Sequence, residues 1–185
     1  MGWSGSTDHR GTPEYPGRTV TLEPAEGEWG VAYKIIRKED QEGALEHLEV
    51  REKQYNMKAY LDFFTEPTAT MPAVSNVLVY IASADKKLNK NYLGPASFEE
   101  IADQIGHADG PSGPNRDYLF KLETALIQIG KGGERMKFGV GWGRSSGTSG
   151  VFAGCEDEHV NDLADEVRRI VLKRGTDHLM KTGVH

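Results

Sequence analysis

The sequence predicts an α+β fold, a small and mostly antiparallel β-sheet or barrel with helices around it. Three observations carry that expectation. The first half alternates apolar and polar residues in four short segments. The second half repeats apolar residues at helical spacing in three. Across the whole chain the order reads β-β-α-β-β-α-α-α. At 185 residues the chain fits a single domain, 1–185, long enough to bury a core without disulfides or metals.

Residues 1–17 are rich in Gly, Pro, Ser and Thr and read as loop, with PEYPG as a strong turn signal. RTVTLE (18–23) alternates, with Val20 and Leu22 on one side. WGVAYKI (29–35) sets Trp29, Val31, Tyr33 and Ile35 on one face, so the two segments predict a hairpin. A helix is expected at about 39–53, then strands at 59–64 (AYLDFF) and 76–83 (NVLVYIAS), the second apolar enough to be central. Ser97 followed by Glu100 is a capping-box pattern opening a helix through Ile101 and Ile105. After the breaker GPSGPN, Asn115 is placed to cap a helix with Leu119, Leu122, Leu126 and Ile129 on its face. A last helix, about 157–173, carries Val160, Leu163, Val167, Ile170 and Val171. Between these two helices, GKGGERMKFGVGWGRSSGTSGVFAG holds nine of the 22 glycines. It reads as a flexible insertion, 130–155, because compact domains seldom contain so long a connection without structure of its own.

Composition narrows the function classes. Hydrophobic content of 37% and charged content of 27% describe a water-soluble globular protein. The single cysteine, Cys155, cannot form an intramolecular disulfide, which fits a reducing, cytoplasmic location. No apolar run approaches the roughly 20 residues that span a bilayer, so no membrane partner is expected. Net charge is −6 with 22 dispersed basic residues, which argues against nucleic acid. A small-molecule substrate is the expected partner, and composition says nothing of oligomeric state.

The familiar catalytic patterns are missing from the sequence. Six scattered histidines with no HExxH and no second cysteine leave no zinc motif, so no metal is expected. GPSGP has Pro114 where a nucleophile elbow needs glycine, and GKGGER lacks phosphate-loop spacing. Glu52 is the residue that asks for an explanation. Leu45, Leu48 and Glu52 share a helix face at i, i+3, i+7. A carboxylate there is a helix-end accident, half of a buried pair, or a working group. Three polar clusters accompany it: GSTDHRGTPEYPG (5–17), NYLGPAS (91–97) and GPSGPNRDYLF (110–120). Singly, each contains what ordinary turns use; together they are where a scaffold would display binding groups.

In order, the blocks GSTDHRGTPEYPGRTVTLEP, EWGVAYKI, LEVREKQY, NYLGPASFEEIADQI and GPSGPNRDYLFKLE resemble the ChaC-like γ-glutamylcyclotransferases, with wording similar to plant-type members. The resemblance covers about 3–129 and resumes at about 157–173. It implies a small β-barrel with surrounding helices. It also implies cleavage of glutathione to 5-oxoproline and cysteinylglycine without metal or organic cofactor. The motif REKGGY of the family corresponds here to REKQYN, which implies that Glu52 is the catalytic carboxylate. Asp8, His9, Arg10 and Tyr118 are the implied substrate-binding residues that line or brace the pocket. The YGSL-type segment of the family does not precede GSTDHRG in this sequence, so the resemblance implies a barrel without its first strand. Two other readings follow from it. One is an inactive truncated relative that binds γ-glutamyl compounds or a protein partner; the other is a cyclotransferase for different γ-glutamyl compounds.

Overall fold

The chain has more strands than the alternation of apolar and polar residues predicts. The computed structural model describes residues 2–22, 28–64, 69–131, 138–140 and 157–182. Strands β1 (Gly2–Ser6) and β2 (Gly17–Thr21) are an antiparallel pair running from Gly2 opposite Thr21 to Ser6 opposite Gly17. The loop expected at 1–17 therefore begins with a strand. Its Gly5 is needed because the backbone of Asn91 lies against it: Gly5 N–H donates to Asn91 O at 2.9 Å, and a Cβ would stand 2.6 Å from that oxygen.

The hairpin expected from 18–23 and 29–35 does not form. β2 pairs with β1, while β3 (Glu28–Gly30) pairs with a strand far down the chain. Residues 31–36 have no regular structure, and Tyr33 and Ile36 are exposed. Alternation thus overextended the second strand, which ends at Gly30, and could not choose the partners of either.

Helix α1 (Lys38–Arg51) follows, with Glu39 and Asp40 in its first turn and Arg51 in its last, as the helix dipole favours. It contains no buried residue. Strands β4 (Met57–Phe64) and β5 (Val74–Ile81) pair antiparallel, with a register shift where β5 carries Asn76 at φ +58°, a left-handed conformation that asparagine tolerates. Helix α2 (Phe98–His107) opens with the expected capping box. Glu100 N–H donates to Ser97 Oγ at 3.2 Å, and Ser97 N–H to Glu100 Oε2 at 2.8 Å. Two-residue strands β6 (Asp109–Gly110) and β7 (Gly113–Pro114) make a tight hairpin turned by Gly113 at φ +93°. It leads into α3 (Asn115–Lys131).

Most of the glycine-rich segment lies outside the described residues, as does Cys155. Within it, β8 (Phe138–Val140) joins β3 to β4, completing the sheet β3-β8-β4-β5. Helix α4 (Glu158–Thr182) closes the described chain. The two larger sheets are stitched by Thr21, whose Oγ1 accepts Ala82 N–H at 2.8 Å and donates to Ala82 O at 3.2 Å.

The main core lies where α2, α3 and α4 meet β1. Ile105, Leu119, Val160, Leu163 and Val167 are fully buried, with Trp3 at its margin. These are the apolar faces read from helical spacing in the second half of the sequence. Glu123 on α3 and Arg168 on α4 add a two-pronged ion pair across their contact.

Candidate active site

The helix ends before Glu52 is reached. Glu52 is the C-cap residue of α1, at φ −95° and ψ 20°, and its N–H still donates to Leu48 O at 2.8 Å. The shared face with Leu45 and Leu48 is therefore no core face: Leu45 is 44% exposed. Of the three readings of Glu52, the helix end is correct as position. Its side chain is 23% exposed and lies 3.2 Å from Arg51 Nε.

A turn carries the acid. Tyr55 N–H donates to Glu52 O at 2.9 Å, so residues 52–55 fold back on themselves. Tyr55 is anchored at its far end, where its hydroxyl donates to Val20 O at 2.9 Å. The N–H of the same residue is taken by Tyr118 of α3, whose oxygen accepts it at 3.2 Å. Two phenols thus hold the N–H and the C=O of one residue of β2. Burial pushes both phenols above their ordinary pKa, and the negative charge of Glu52 adds to the rise in each. Arg10 acts on Tyr118 in the opposite sense.

The loop after β1 supplies the remaining expected residues. Asp8 accepts from Gln54 Nε2 through Oδ1 and pairs with Lys53 Nζ through Oδ2 at 2.8 Å. Gln54 Nε2 also reaches Thr7 Oγ1 at 3.1 Å. His9 is half-exposed, with Nδ1 3.1 Å from Ser112 Oγ. Arg10 donates from its guanidinium to Ser112 O at 2.6 Å and Pro114 O at 3.4 Å. Its N–H donates to Ser6 Oγ at 3.0 Å. The loop can lie so close to the β6–β7 hairpin because Gly110 has no side chain: a Cβ there would be 2.3 Å from His9 O.

Asn115 does not spend its side chain on capping α3. Fully buried, it accepts Arg18 N–H at 2.6 Å and donates to Arg18 O at 2.8 Å, pinning β2 beside the phenols. The Arg18 guanidinium donates from Nε to Gln104 at 2.6 Å, and burial lowers its pKa.

The structure thus brings Glu52, Asp8 and Tyr118 to one place, linked through the 52–55 turn and β2. His9 and Arg10 face the β6–β7 hairpin at its side. Sequence reasoning missed Gln54, Tyr55 and Asn115 as parts of this assembly. Their partners are 35 to 97 residues away in the chain, so no local period announces them. Among the described residues no cluster of three or more His, Cys, Asp or Glu could hold a metal ion. No described helix is long and apolar enough to cross a membrane.

A carboxylate can move a proton, and phenol and guanidinium groups can hold an anionic ligand. Comparison with known proteins gives the family. Residues 2–137 match the family model described as ChaC-like protein. The chain is 57% identical over 169 residues to γ-glutamylcyclotransferase 2-3 of Arabidopsis thaliana, covering 90% of this chain and 73% of that protein. It is 45% identical over 125 residues to glutathione-specific γ-glutamylcyclotransferase 1 of Danio rerio, covering 65% of this chain and 60% of the relative. The structure is similar, at a TM-score of 0.58 and 23% identity, to the crystal structure of a γ-glutamylcyclotransferase specific to glutathione from yeast. That similarity covers 90% of this chain and 82% of the other.

Proposed function

The chain belongs to the ChaC-like protein family, and on that premise we propose that it is a γ-glutamylcyclotransferase cleaving glutathione to 5-oxoproline and cysteinylglycine. The observation that supports the residue assignment is the placement of Glu52 at the end of α1, in the turn whose Tyr55 shares Val20 with Tyr118.

The reaction follows from the substrate's own groups. The α-amine of the γ-glutamyl residue attacks its γ-amide carbonyl carbon. A C–N bond forms and closes a five-membered lactam, and the C–N bond to the cysteinyl nitrogen breaks. At neutral pH the α-amine is mostly ammonium, so a base must first take a proton. The Glu52 carboxylate takes it and returns one to the departing cysteinyl amine. Such proton transfer contributes about 10²–10⁴ in rate, and holding the amine over the carbonyl supplies much of the rest.

The remaining groups hold the substrate. Tyr118, whose oxygen already accepts Val20 N–H, has its hydroxyl proton to give to the γ-glutamyl carboxylate. Arg10 offers guanidinium N–H groups beyond those used on Ser112 and Pro114, suited to a substrate carboxylate. His9 is the neighbouring residue of the same loop, with its Nδ1 3.1 Å from Ser112 Oγ. The substrate is a small molecule, and the setting that fits glutathione as substrate is the cytoplasm.

The test is to incubate the protein with glutathione in isotopically labelled water and to follow the products by mass spectrometry. Intramolecular attack predicts 5-oxoproline and cysteinylglycine with no solvent oxygen in either. Labelled glutamate in place of 5-oxoproline would mean hydrolysis and overturn the mechanism.

A further inference from the structure

The helix that precedes the Glu52 turn has no buried residue, so beyond the bond from Glu52 N–H to Leu48 O it gives the turn little support. What holds it is a set of polar contacts to the β1–β2 unit. One is Tyr55, through Val20. The others converge on a single carboxylate. Gln54 Nε2 donates to Asp8 Oδ1 and to Thr7 Oγ1, and Lys53 Nζ stands 2.8 Å from Asp8 Oδ2. Both oxygens of Asp8 are thus committed to the two residues that follow Glu52. Those contacts suit Asp8 to bracing the site, one of the two roles the resemblance implies for it.

We propose that Asp8 and Gln54 form a positioning pair, which fixes the Glu52–Tyr55 turn and so aims the Glu52 carboxylate at the reacting amine without touching substrate. This inference rests on the cyclotransferase reading above. The physical reason is geometric. A general base must stay within hydrogen-bond reach of the proton it takes, and a side chain at a frayed helix end would sample many directions. The side-chain amide of Gln54 donates and the carboxylate of Asp8 accepts, so the pair has a polarity that can be reversed. That reversal separates positioning from substrate contact.

The experiment measures kcat and KM for 5-oxoproline release from glutathione, with the Tm of each protein, for the parent, Gln54→Glu, Asp8→Asn and the double variant. Gln54→Glu sets two carboxylates against each other and is expected to lower kcat about 10- to 100-fold while KM stays within about threefold. Asp8→Asn keeps an acceptor for Gln54 and loses the Lys53 pairing, so its loss is smaller. In the double variant the Asn amide donates to the Glu carboxylate, which also regains Lys53. Recovery of kcat to within about fivefold of the parent supports the positioning pair. An increase in KM as the main effect of Asp8→Asn, or no recovery of kcat in the double variant, would overturn it. So would changes in Tm alone with kcat per folded molecule constant throughout. A parent without activity would overturn the cyclotransferase reading and this inference with it; an active parent with an unrescued double variant would overturn only the inference.

Discussion

Val20 is an unremarkable residue whose backbone N–H and C=O are each claimed by a phenol, Tyr118 for the first and Tyr55 for the second. Replacing Tyr118 by Phe leaves the Val20 N–H without its acceptor in a partly buried place. The expected loss is about 1–3 kcal/mol in urea unfolding, together with a lower kcat from the missing hydroxyl. At this scale Glu52 was legible in the sequence, because an acid in line with Leu45 and Leu48 is conspicuous and REKQYN resembles a family motif. Its setting was not. The face it was assigned to requires the helix to run on through residue 52, and α1 stops at Arg51. Tyr118 was legible only through the resemblance, since the third position of a helix otherwise suggests ordinary packing.

At the scale of elements, α1 is attached through polar contacts. Besides the turn at its end, Glu49 accepts from Lys58 Nζ on β4 and from Tyr80 Oη on β5 at 3.0 Å. The hydrogen bonds from Lys58 and Tyr80 hold the Glu49 carboxyl below its ordinary 4.5. A carboxyl depressed in the folded state stabilises it above the ordinary value and loses that contribution as pH falls through the folded one. The α1 amides should therefore lose hydrogen-exchange protection as pH drops below 4.5, and in Glu49→Gln their protection should already be reduced at neutral pH, with a weaker acid dependence. Strand β2 is fastened differently, by a buried amide. Asn115→Ala removes both contacts to the Arg18 backbone and is expected to cost about 2–4 kcal/mol of stability in denaturant unfolding. The sequence made the helices of the second half plain, since each carries a sustained apolar stripe. Strand partners were not plain: β2 runs beside a glycine- and serine-rich strand that reads as loop, and β3 pairs with Phe138–Val140 inside a glycine-rich stretch. Pairings over such distances depend on tertiary geometry that local alternation does not encode.

Over the whole molecule, stability and chemistry reside in different places. The α2–α3–α4 core holds the large buried side chains, whereas the proposed catalytic acid sits at the end of a helix that buries none. Two leucines should display the difference. Leu163→Ala, in the packed core, is expected to cost about 2–5 kcal/mol, and Leu45→Ala, on α1, about 0.5 kcal/mol or less, both read by urea unfolding. The β1–β2 unit bridges the two regions, with Trp3 in the core cluster and Val20 between the phenols. The measurement that bears most directly on the proposed function is the rate of 5-oxoproline release from glutathione by the parent and by Glu52→Gln, at equal concentrations of folded protein. The account predicts release by the parent and a loss of about 10²–10⁴-fold in the variant, with Tm little changed. Equal rates from the two proteins would contradict it.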